Sequence, residues 1–95
     1  MTFKLSVIQL ENLATITGNK SALEIIIHSG KDVKVMEDEA WGRWKNSITK
    51  TQIKSLIKKG IINNDGTPNK YTSKVLDLVN LRHVNSWNGQ MTFTV

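Results

Sequence analysis

The sequence predicts a single α+β domain, on three observations. Phe3, Leu5 and Val7 alternate with Thr2, Lys4 and Ser6, the period of a half-buried strand. Ser6-x-x-Gln9, Ser21-x-x-Glu24 and Thr49-x-x-Gln52 are capping boxes set before apolar residues at helical spacing. Asn88-Gly89 is the preferred pair for a two-residue hairpin turn. A chain of 95 residues has material for one core only, so residues 1–95 are read as one domain. Its 39% hydrophobic and 22% charged content is that of a globular protein.

Each element follows from local signals. Thr2 to Val7 forms a strand that runs into a helix through Leu10, Leu13 and Ala14. Ser21 opens a second helix with Leu23, Ile26 and Ile27 on its apolar face, and Gly30 stands where a C′ glycine ends a helix. Lys31 to Val35 alternates briefly, as in a small strand. Met36 to Trp44 forms the next helix, with Glu37, Asp38 and Glu39 at the end where acids are favoured and Arg43 and Lys45 at the other. Met36, Ala40, Trp41 and Trp44 share one of its faces.

A turn at Lys45-Asn46-Ser47 leads to a helix ending at Lys59, with Asn46, Ser47 and Thr49 all eligible as its cap. Ile53, Leu56 and Ile57 line its inner face and Gly60 stops it. Ile61-Ile62 begins a strand, Asp65 to Asn69 is a loop of turn residues containing the single proline, and Lys70-Tyr71-Thr72 returns as a second strand. Ser73 to Leu81 is helical. In the C-terminal hairpin, Trp87 would face Gln90 and Val84 would face Phe93, with Met91, Phe93 and Val95 on one side.

Composition excludes several function classes. With no cysteine there is no disulfide, thiolate zinc site or cysteine nucleophile. No apolar run reaches the roughly 18 residues of a membrane span, and the N-terminus lacks a secretory pattern, so a cytoplasmic protein without membrane contact is expected. No P-loop, G-x-S-x-G, H-E-x-x-H or dinucleotide fingerprint occurs. His28 and His83 stand alone, without a carboxylate pattern that would make a metal site. The expectation is a binding protein with no enzymatic activity and no cofactor.

Charge is distributed unevenly. Residues 1 to 40 carry four lysines against six acids, while residues 41 to 95 carry nine Lys/Arg against Asp65 and Asp77. No acid lies between Glu39 and Asp65, where Arg43, Lys45, Lys50, Lys54, Lys58 and Lys59 all fall. Such a one-sided basic stretch is the electrostatic footprint of a polyanion binder.

The run from Ile48 to Ile62, in which Leu56 is followed by Gly60 and two isoleucines, resembles the recognition helix and wing entry of the winged helix-turn-helix superfamily. The resemblance covers residues 21 to 72 and is shared by small regulators and by phage and plasmid replication proteins. It differs from the family in having Gly42 and two tryptophans in the preceding helix, and in its short wing. The resemblance implies a winged core at 21–72, followed by a helix and hairpin over 73–95.

A recognition helix buried through Ile53, Leu56 and Ile57 would present Lys50, Thr51, Gln52, Lys54, Ser55 and Lys58, side chains that hold phosphates or read base edges. Arg43, Lys45, Asn46 and Ser47 would join them from the preceding turn, and Asn64, Thr67, Asn69 and Lys70 from the wing. The expected partner is duplex DNA, met by a monomer or homodimer in transcription regulation or DNA replication. RNA binding through the same face stays open. So does a protein-interaction role, such as a phage-type inhibitor of a host protein, using an exposed surface of Trp87, Met91 and Phe93. Trp41 and Trp44 are assigned to the core, with base stacking as their alternative.

Overall fold

The computed structural model describes all residues from Met1 to Val95 as an α+β domain. Strand β1 (Thr2–Ser6) leads into α1 (Val7–Ile16) and α2 (Lys20–Ile27), then α3 (Asp38–Asn46), α4 (Lys50–Lys59), α5 (Thr72–Asn80) and β2 (Gln90–Thr94). The strand-to-helix switch occurs at Ser6, whose hydroxyl accepts from the Gln9 N–H while Gln9 Oε1 accepts from the Ser6 N–H. Helix α1 lies at the centre, packed on α2, α3 and α4, and α5 covers α2. Phe3 and Leu5 from β1 and Met91 and Phe93 from β2 join Leu10, Leu13, Leu23, Leu56 and Val79 in one continuous core.

The C-terminal hairpin is not formed. Strand β2 pairs antiparallel with β1, Phe3 opposite Phe93 and Leu5 opposite Met91. The reason lies in what each candidate partner offers. Thr2–Ser6 supplies two apolar residues in strict alternation, matching Met91 and Phe93, whereas residues 83–87 are mostly polar. Ser86 bonds locally to Asn88, and Trp87 turns away to pack near Gly30.

Further expectations change. Asn19, not Ser21, caps α2, its Oδ1 accepting from the Ala22 N–H at 3.0 Å. Glu24, the other half of the expected box, is buried and its carboxylate accepts from the Met36 N–H, so it ties down the following segment. Lys31 to Val35 forms no strand; Ser29 and Asp32 near its start adopt positive φ, incompatible with an extended run. Helix α3 starts at Asp38, with Asp38 and Glu39 in its first turn and Arg43 and Lys45 in its last.

The two strands around the proline loop shrink to a single bridge between Ile62 and Pro68. Thr72 belongs to α5, because its hydroxyl donates to the Ile61 carbonyl at 2.6 Å and accepts from the Asn69 N–H at 2.9 Å. Asn69 in turn accepts from the Tyr71 N–H, so a turn replaces the returning strand.

Candidate nucleic-acid interface

Helices α3 and α4 are joined by Ser47, Ile48 and Thr49 alone. Thr49 is the cap that forms: its hydroxyl accepts from the Gln52 N–H at 3.2 Å, and Gln52 Oε1 accepts from the Thr49 N–H at 2.8 Å. Gly60 closes α4 in the left-handed region at φ +77°, a conformation that disfavours any residue with a Cβ. Leu56 is completely buried and Ile53 and Ile57 half-buried, so the helix is phased onto the core as the sequence predicts.

That phase leaves Lys50, Lys54 and Lys58, four residues apart, as an exposed row along one side of α4, with Thr51 exposed beside it. None of the three lysines is in an ion pair; the ion pairs of the whole chain are Lys20–Glu24 and Arg43–Glu39. Three unneutralised cations on a capped helix make a linear electropositive ridge. Lys59 departs from the row, since its ammonium donates to the Lys4 carbonyl at 2.8 Å.

The other polar residues of α4 are engaged within the protein. Gln52 Oε1 is held by the capping box, so its amide cannot offer the donor–acceptor pair that recognises adenine without opening that box. Ser55 Oγ accepts from Gln9 Nε2 at 3.0 Å and is half-buried against α1.

From α3, Arg43 reaches Glu39 at 3.3 Å, but both side chains are more than two-thirds exposed, so the pair holds the guanidinium only weakly. Lys45 lies over the Trp41 ring with its ammonium 5.4 Å from the centroid. Asn46 is exposed, and the Ser47 hydroxyl donates to the Trp44 carbonyl at 2.8 Å. Trp41 and Trp44 are half-buried against the core. Ala40, Arg43, Trp44 and Ser47 line a shallow recess of about 260 Å³ on this side.

The loop between Ile62 and Pro68 is more structural than the sequence suggests. Asn64 is exposed and unbonded, but the Thr67 hydroxyl and N–H both donate to Asp65, at 2.6 and 3.0 Å. Those two bonds, the hydroxyl first, hold the Asp65 carboxyl below the ordinary aspartate range. The loop therefore carries a fixed negative charge that repels phosphate. Asn69 donates to the Gly60 carbonyl at 2.9 Å and so locks the loop to the end of α4. Lys70 lies over the Tyr71 ring at 5.1 Å.

Trp87, Met91 and Phe93 do not form an exposed surface. Met91 and Phe93 are buried in the core because β2 faces inward through them. Trp87 is half-buried, and a Cβ added at Gly30 would stand 2.9 Å from its Cζ2 atom. No three His, Asp or Glu side chains converge in a way that could hold a metal ion. No helix is long and apolar enough to cross a membrane.

Sequence reasoning finds the lysine row but misses the long-range bonds around it. Gln9 is legible as a capping residue, while the reach of its amide to Ser55 depends on how α1 crosses α4. The burial of Glu24 and the bond from Lys59 to Lys4 have no local signal either. The chain matches no protein-family model, no curated protein and no solved structure.

Proposed function

We propose that the protein binds duplex DNA through α4, in the manner of a helix-turn-helix domain whose wing is reduced to a single bridge. The observation that carries this reading is the row of Lys50, Lys54 and Lys58, exposed, free of acidic partners and mounted on a helix anchored by Leu56. The short turn at Ser47–Thr49 and the adjacent cations Arg43 and Lys45 support it.

Because Gln52 and Ser55 are internally bonded, phosphate contacts dominate, and base reading falls to Thr51 and to lysines that reach guanine. Lys70 adds one cation beyond the loop, while Asp65 keeps the loop tip off the backbone. This is a binding function without catalysis, suited to a small transcription regulator or a replication accessory protein.

A salt titration of binding to duplex DNA, single strands and RNA tests it. With about four to six phosphates neutralised, log K for the duplex falls against log salt with a slope of roughly −4 to −5. Absence of duplex binding at about 50 mM salt, where such contacts are strongest, rules the reading out.

A further inference from the structure

The two strands of the small sheet have edges of different character. Met1 and Val95 exchange both backbone hydrogen bonds, each 2.9 Å. By the alternation of an antiparallel ladder, Phe3–Phe93 and Leu5–Met91 do the same, and the residues between them turn their N–H and C=O groups outward. On β1 some of these outward groups are occupied. The Lys4 carbonyl accepts from Lys59 Nζ, the Ser6 N–H donates to Gln9 Oε1, and Lys4 adds a charge to the edge. On β2 the outward groups belong to Gln90, Thr92 and Thr94, and none of them bonds any other part of the chain.

An edge strand with open ladder groups, no charge, no proline and no bulge is a template for another strand. From Gln90 to Val95 the chain has no charged residue, although its net charge is +5. The segment is also self-complementary. Reversed about Thr92, it sets Thr92 against Thr92, Gln90 against Thr94 and Met91 against Phe93, so polar residues meet on the exposed face and apolar residues on the core face. The same operation on the β1 edge would set Lys4 against Lys4. We infer that the free edge of β2 pairs antiparallel with β2 of a second copy, two-fold about Thr92, to make one continuous four-stranded sheet.

The pairing forms about six backbone hydrogen bonds. It adds little apolar burial, because Met91 and Phe93 are already covered in each copy. The dimer therefore belongs to the weak, small-interface class, with a dissociation constant of roughly 10 to 500 µM. Its symmetry is closed, so pairing stops at two copies. The inference does not depend on the nucleic-acid reading.

Sedimentation equilibrium on the full chain over about 5 to 500 µM reads the association directly, in the range expected for a weak interface. Thr92→Pro removes an outward N–H that the β1 pairing does not use, a position where an edge strand tolerates proline. Thr92→Lys leaves the backbone intact and sets like charges against each other at the two-fold. Thr92→Pro should keep the monomer's melting temperature at low concentration, whereas Thr92→Lys, which faces Lys4 across the β1 pairing, should lower it somewhat. Both should weaken dimerisation at least about tenfold. In amide exchange, Thr92 should gain protection as concentration rises while Phe93 stays protected throughout. If Thr92→Pro unfolds, Thr92→Lys alone decides. A wild-type chain that remains monomeric across the range, or a dimer undisturbed by Thr92→Lys, overturns the inference.

Discussion

Gln9 Nε2 donates to Ser55 Oγ at 3.0 Å while Gln9 Oε1 accepts from the Ser6 N–H at 2.9 Å. One side chain thus closes the N-terminus of α1 and holds α4 against it, coupling the strand-to-helix switch to the helix that carries the lysine row. Gln9→Ala loses both bonds and should cost about 1–2 kcal/mol, and Ser55→Ala about 0.5–1.5 kcal/mol. A double-mutant cycle by urea unfolding should show a coupling of about 0.5–1.5 kcal/mol between them. Additive losses would mean that the amide does not hold the serine.

Leu56 is the core anchor of α4, with no exposed surface. Leu56→Ala should cost about 2–5 kcal/mol, through lost burial and the cavity left between α4 and α1. Chemical denaturation measures this, and a loss near zero would show that α4 is phased differently.

Gln52 and Lys54 separate helix stability from binding. Gln52→Ala opens the capping box and should lower stability by about 0.5–2 kcal/mol, while leaving discrimination between DNA sites unchanged. Lys54→Ala should leave stability within about 0.5 kcal/mol. It should weaken all duplexes alike, with the salt slope smaller by about one. A loss of discrimination in Gln52→Ala beyond its effect on folding would show that the amide leaves the capping box to read a base.

Gly30 has φ +71° and faces the Trp87 ring. Gly30→Ala therefore meets both a backbone and a packing penalty, and should cost about 2–4 kcal/mol. In a Trp87→Phe background, which removes the indole atoms that the new Cβ would strike, the penalty should fall to about 1–2 kcal/mol, the part that belongs to the backbone. Thermal melts of the four proteins check it.

Two carboxylates titrate in opposite directions. Burial pushes the Glu11 carboxyl up, so its ionised form is penalised in the fold. The penalty is absent below the unfolded value, grows as pH rises to the folded value and is complete above it. Glu11→Gln should therefore be more stable than wild type at pH 7 and equal to it at about pH 3, below the ordinary glutamate range. Asp65, held down by Thr67, contributes stability above its unfolded value that is lost as pH falls through its folded one. Asp65→Asn should accordingly be less stable at pH 7 and approach wild type in acid. Melting curves across this range would show both signs.

Much of the architecture can be read locally. The α+β class, the run of the first strand into a helix, the capping boxes Ser6-x-x-Gln9 and Thr49-x-x-Gln52 as candidates, the stop at Gly60 and the inward phase of Leu56 all follow from residues within a few positions of one another. Capping boxes and left-handed glycines act over one helical turn, and that makes them legible. The row of Lys50, Lys54 and Lys58 is legible for the same reason, since a helix of known phase places its own side chains.

The errors share a cause in the other direction. Asn88-Gly89 is a sound local turn signal, and Gly89 does take a positive φ of +64°. Yet a strand pairs with whichever partner completes its buried face, and for Met91 and Phe93 that partner lies at the far end of the chain, in Phe3 and Leu5. The same distance hides the bonds from Gln9 to Ser55 and from Lys59 to Lys4. The sequence by itself determined which segments are helices and which side of α4 is charged, because those depend on one-turn interactions. Only the tertiary structure decided which strands pair, which polar groups are consumed internally and which edge stays open, because these are settled by contacts between residues far apart in the chain.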